Sequence, residues 1–167
     1  MKLKQIISIF LILITFQACG IYSFTGGDTG DAKSFQVNFF QNNAPIVEPG
    51  IDRNFTQALQ DLIQNQTNLE LTNTNGDLIY EGEITGFAIA PMSANADQRA
   101  SQNRLTVTIN TRFTNKLKEE DDFEKRFSFY YDYPATEQLT GSNLETAMEE
   151  IYERITQDIF NASLAKW

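Results

Sequence analysis

The sequence predicts an α+β fold: a two-layer sandwich with a mostly antiparallel sheet of about four to five strands and two amphipathic helices on one face. Three observations predict it. Segments 51–63 and 144–159 repeat apolar residues at helical spacing, whereas 35–39, 105–113 and 123–133 alternate apolar with polar residues. The order runs strand, helix, four strands in meander order, helix, so each helix has a sheet face to cover.

Phe35, Val37 and Phe39 alternate with Gln36 and Asn38, predicting a half-buried strand through residue 39. Asn42-Asn43-Ala44-Pro45 turns the chain, and Pro49-Gly50 closes the loop. Ile51, Phe55, Ala58, Leu59, Leu62 and Ile63 then form one helical stripe, with Asp52, Gln57, Gln60, Asp61 and Gln64 opposite. Leu69 and Leu71 mark a short strand, and Asn75-Gly76 predicts a hairpin into the next, because both residues tolerate positive φ. If the first strand-helix-strand unit pairs in parallel, its crossover is right-handed.

Residues 78–90 read as a strand whose phase slips near Gly86, which predicts a bulge. Residues 91–103 are polar and loop-like. Leu105, Val107, Ile109 and Phe113 form the cleanest strand pattern. After the charged connection 116–122, Phe123, Lys125, Phe127, Phe129, Tyr131 and Tyr133 share one strand face, and its aromatics Phe123, Phe127, Phe129, Tyr131 and Tyr133 read as core against the helices. Ser142 and Glu145 predict a capping box ahead of the stripe Leu144, Met148, Ile151, Ile155 and Ile159.

Composition excludes several chemistries. The 167 residues contain no histidine, so Ser-His-Asp and Cys-His nucleophile systems and histidine-ligated metals are out. One cysteine permits no internal disulfide and no thiolate cluster. A formal charge of −9 disfavours nucleic-acid backbones. Glu119-Glu120-Asp121-Asp122 lacks the alternation and glycine of a calcium loop and reads as a solvated turn, so no metal site is expected.

The N-terminus points to a compartment. Lys2 and Lys4 precede an 11-residue apolar run, 6–16, too short for the roughly 20 residues a membrane-spanning helix needs. It fits a cleaved secretory signal. Ala18-Cys19-Gly20 follows, and the segment resembles the lipobox of bacterial lipoproteins, with Phe16 where that pattern favours leucine. The resemblance implies a signal peptide over 1–18, a covalent lipid on Cys19, a lipidated N-terminal segment over 19–34 and a single domain over 35–167. Acyl burial gives about 0.8 kcal/mol per methylene, so several chains anchor the protein firmly. By the sorting rules of such lipoproteins, the absence of aspartate at Gly20 argues for the outer membrane, on its periplasmic side. Cleavage leaves 11 cationic side chains against 22 carboxylates, a net charge of −11.

Several segments together resemble one family. They are CGIYSFTGG, FFQNNAPIVEP, FTQALQDLIQNQTNLELTNTNGDLIYEGEITGF, NRLTVTINTRFTN, FSFYYDY and DIFNASLAKW. They look like the LptE-like lipopolysaccharide-assembly lipoproteins of Bacteroidetes-type bacteria. The resemblance implies a non-catalytic plug and assembly aid for an LptD-type outer-membrane β-barrel, in contact with lipopolysaccharide, and no cofactor beyond the lipid on Cys19. Nucleic acid is not an expected partner.

Three residues are candidate contacts for lipopolysaccharide or the partner. Arg99 and Arg104 lie in and beside the polar loop, where guanidinium groups suit phosphates. Tyr130 faces away from the aromatic core stripe, and tyrosine is enriched at interfaces. Catalytic residues are not expected; Glu81 and Glu83 share a strand face but read as solvent-exposed rather than as a hydrolase pair. The alternative function is an accessory lipoprotein of another outer-membrane complex, for uptake or efflux.

Overall fold

The computed structural model describes residues 27–46, 48–92 and 102–165. Among these residues six strands and two helices follow one another: β1 Ser34–Val37, β2 Gln41–Asn42, α1 Ile51–Gln66, β3 Glu70–Leu71, β4 Leu78–Met92, β5 Gln102–Asn115, β6 Phe123–Pro134 and α2 Ser142–Leu164. A short 3-10 turn, Glu119–Asp121, joins β5 to β6. The strands form one mixed sheet in the order β3-β1-β4-β5-β6, with β2 also on β4. The long β4-β5-β6 ladders are antiparallel, while β1 runs parallel to both β3 and β4, and β2 parallel to β4.

The core lies between the sheet and the helices. Phe55, Leu59 and Ile63 of α1 and Ile151, Ile155 and Ile159 of α2 are fully buried against Phe35, Tyr80, Ile84, Val107, Ile109 and Phe113. The stripe on β6 behaves as expected: Phe127 and Tyr133 are buried, and Phe123, Phe129 and Tyr131 pack at the margin of the core. Both helices run the same way. Near one end the Tyr152 hydroxyl donates to the Ile51 carbonyl at 3.2 Å, and further along Gln66 donates to Gln157 at 3.0 Å.

Four local expectations require correction. The first strand does not reach Phe39. Val37 pairs with Tyr80 but Gln41 with Glu83, so four residues of this segment span three of β4. The extra residue turns Phe39 outward, 55% exposed, and sends Phe40 into the core. The Phe40 N–H bonds the Thr56 hydroxyl at 3.1 Å, which holds that slip in place.

Asn75-Gly76 makes no hairpin, because β1 lies between β3 and β4. A two-residue type I′ turn needs positive φ at both centres. Asn75 has φ 60°, but Gly76 is not among the positive-φ glycines. Gly76 instead lets the connection cross β1 closely: a β-carbon there would lie 2.8 Å from the Gln36 nitrogen. The strands after α1 therefore do not form a simple meander.

Nor does the capping box form. Gly141, at φ 56°, occupies the N-cap with no side-chain cap bond, and its carbonyl accepts from the Glu145 N–H at 3.0 Å. Ser142 is thus one residue too far in. Finally, Pro91, Met92, Gln102 and Asn103 belong to strands, not to the loop. The slip near Gly86 is present, as a register shift between Ile84 and Gly86.

Candidate functional site

Both helices occupy one face of the sheet; among the described residues no helix covers the other. Strand alternation gives that open face a polar ladder down β5: Arg104, Thr106, Thr108, Asn110 and Arg112. Eight residues at about 3.4 Å each put roughly 27 Å between the two arginines.

Arg104 stands opposite Asp132 in the β5-β6 register. Its Nε and Nη2 donate to Oδ1 and Oδ2, each at 2.7 Å, a bidentate pair with both side chains 29% exposed. Its Cζ lies 3.6 Å from the centroid of the Tyr130 ring, within cation–π range. Tyr130 itself is 44% exposed. The hydrogen bonds from Arg104 hold the Asp132 carboxyl below its ordinary range, and the same bonds raise Arg104. The used edge of the guanidinium is Nε/Nη2. The Nη1/Nη2 edge carries donors that Asp132 does not take.

At the other end, Arg112 bridges three strands. It donates to Glu81 of β4 at 3.0 Å and to Glu124 of β6 at 3.3 Å. Glu81 also accepts from Asn38 at 3.1 Å, and Glu83 accepts from Asn43 at 2.6 Å. Glu81 and Glu83 are thus held by hydrogen bonds on the open face. Of the 119–122 run, Glu119–Asp121 form the 3-10 turn; Asp122, just beyond it, accepts the Asn115 N–H at 2.7 Å, and Lys118 pairs with Glu120 and Asp121.

Of the four singled-out residues, the fold brings Arg104 and Tyr130 into one cluster, while Cys19 and Arg99 lie outside the described residues. Sequence reasoning missed Asp132, the third member. Alternation along 123–133 puts it on the face of Tyr130, and the missing signal was the register that sets it opposite Arg104.

Fold and surface define a class: a small α+β domain with one sheet face covered by two helices and the other open, polar and stitched by charge pairs. Among the described residues no helix is long and apolar enough to cross a membrane. The chain belongs to the LptE lipopolysaccharide-assembly family, whose family model matches residues 32–163. That is a family of non-enzymatic outer-membrane assembly lipoproteins, so the role lies in lipopolysaccharide assembly.

No curated protein matches the chain by sequence. Among solved structures it is similar to the hypothetical protein CT253 from Chlamydia trachomatis, at 8% identity and TM-score 0.54, over 81% of this chain and 100% of that one. The PelC dodecamer from Paraburkholderia phytofirmans follows at 5% identity and TM-score 0.50, covering 84% and 95%. The rare lipoprotein B from Shewanella oneidensis has 9% identity and TM-score 0.48, covering 76% and 89%. At these identities the first two likenesses speak for the fold alone.

Proposed function

We propose that the chain is anchored through a lipid on Cys19 at the periplasmic side of the outer membrane. There it plugs an LptD-type β-barrel, assists its assembly and so aids lipopolysaccharide transport to the cell surface. Residues 1–18 serve as the signal peptide and 19–34 as the lipidated segment leading into the domain.

The observation that carries this reading is the uncovered polar face of the sheet. Wide outer-membrane barrels enclose polar, water-filled lumens. A face of threonines, asparagine and internally paired charges suits such a wall, whereas a lipid-facing surface needs apolar side chains. Arg104 adds a specific contact: with Asp132 fixing its orientation, its remaining donors point to a phosphate of lipid A or to an acidic partner residue. Arg99, in the segment between β4 and β5, and Tyr130 complete the proposed contact set.

Affinity purification of the native lipidated chain tests the partner. An LptD-type barrel should come down with it, and a set of uptake or efflux proteins instead would return the alternative. Mass spectrometry of the N-terminal peptide should find acylated Cys19. Binding of lipid A should weaken in Arg104→Ala with the fold intact; unchanged binding there and in Arg99→Ala removes both arginines from the site.

A further inference from the structure

The outer surfaces of α1 and α2 leave a groove between them. Met148 and Tyr152 form its buried floor, and Ala58, Leu62 and Leu144 its half-buried walls. Two adjoining cavities of about 540 and 280 Å³ share Ala58, Glu149 and Tyr152, so the groove runs continuously along the helix pair. From Ile51 to Asn65 it follows α1 for roughly 21 Å, about four helical turns.

The rim has one sign. Glu48, Asp61, Glu145, Glu149 and Glu153 border the groove, and no salt bridge engages any of them among the described residues. The two helices together carry seven carboxylates against only Arg53 and Arg154. Strands β4, β5 and β6 balance four carboxylates with four cations. The negative potential reaches the floor: Tyr152 ionises above its ordinary range, through burial first and then through Asp52 and Glu48.

Such a groove selects its occupant. Anionic ligands and anionic lipid surfaces are repelled by unpaired carboxylates at close range. An apolar floor bordered by acids fits an amphipathic helix whose apolar stripe is flanked by lysine or arginine, the helix-in-groove mode of recognition.

We propose that the α1–α2 groove docks a cationic amphipathic helix of a partner protein. Its apolar stripe lies on Met148 and Tyr152, and its basic flanks meet Asp61, Glu145 and Glu149. This surface is on the opposite side of the molecule from Arg104, and the inference does not rest on the identity of the barrel.

The test uses the full chain with 13C-methyl-labelled methionine. Met148 reports on the groove and Met92, at the end of β4, serves as an internal control. The probe is an 18-residue helical peptide of leucine on one face and lysine on the other, matched with a peptide bearing glutamate for every lysine. The lysine peptide should shift the Met148 resonance and leave Met92 in place. Combining Asp61→Asn, Glu145→Gln and Glu149→Gln, all at exposed positions, should weaken it about tenfold, as should 0.5 M salt on the unaltered chain. An unmoved Met148, equal binding of the glutamate peptide, or affinity indifferent to both the substitutions and salt overturns the proposal. Loss of barrel co-purification would bear on the function proposed above and leave this result standing.

Discussion

The ring of Phe40 lies over Gly82, where a β-carbon would come 2.8 Å from the ring's Cε1 and would also collide with the Asn110 carbonyl. Phe40 is fully buried and meets Phe55 edge-on at 5.1 Å. The slip that turns Phe39 outward therefore needs a residue without a side chain on β4. Gly82→Ala should cost about 1–3 kcal/mol, as overpacking does, read from the urea midpoint. A change too small to resolve would show that Phe40 can seat elsewhere.

Tyr80 ties β4 to α2. Its ring is fully buried, and its hydroxyl shares a 3.0 Å hydrogen bond with Ser163. Tyr80→Phe should lose about 0.5–1.5 kcal/mol, because Ser163 keeps its own bond to the Ile159 carbonyl. Burial pushes the Tyr80 phenol well above its ordinary value of 10.0, and Tyr152 moves the same way. Above that pH the unfolded chain releases these protons while the folded chain retains them, so stability falls as pH rises. Melting temperatures between pH 9 and 11 should decline, and less steeply in Tyr80→Phe.

Much of this was legible because it is local. Alternation located β5 and β6, stripes located both helices, and the phase change at Gly86 announced the bulge. The order of strands was not local. Placing β1 between β3 and β4 depends on pairings such as Phe35 with Leu78 that no short pattern reports. Asn75-Gly76 looked like a hairpin because turn chemistry marks where the chain bends and leaves open what it bends around. At the site, the exposure of Tyr130 was readable from its strand face, but the Arg104–Asp132 clamp was not. It exists only through the β5-β6 register, and a one-residue slip would put the two side chains on opposite faces.

Asp77 fastens the start of β1 to the start of β4. Its Oδ2 accepts the N–H groups of Lys33 and Ser34 at 2.9 and 3.0 Å and the Ser34 hydroxyl at 3.0 Å. The Lys33 N–H, then the Ser34 hydroxyl, hold its carboxyl below the ordinary 3.8. A carboxylate depressed on folding stabilises at neutral pH, and that contribution fades as pH falls from the ordinary value through the folded one. Asp77→Asn should lower the melting temperature at pH 7, with the gap to the unaltered chain closing below about pH 4. A gap constant from pH 7 to pH 3 would assign the effect to shape rather than charge.

Thr111 offers the opposite test, a substitution expected to stabilise. It sits on the core side of β5 opposite Gly82, between Ile109 and Phe113, and is fully buried. Its hydroxyl has no hydrogen-bond partner among the described residues. An unmade bond in the core costs about 1–3 kcal/mol, and valine fills the same volume with a methyl group. Thr111→Val should therefore raise stability by about 1 kcal/mol or more, moving the melting temperature up by roughly 2–6 °C. Thr111→Ser keeps the hydroxyl and removes packing, so it should destabilise by about 1 kcal/mol. The pair of variants separates two causes that one alone would confuse. If valine destabilised instead, the hydroxyl would be bound to an internal water, which needs further polar partners within reach. The main-chain groups at the β4-β5 ladder would then be the place to find them.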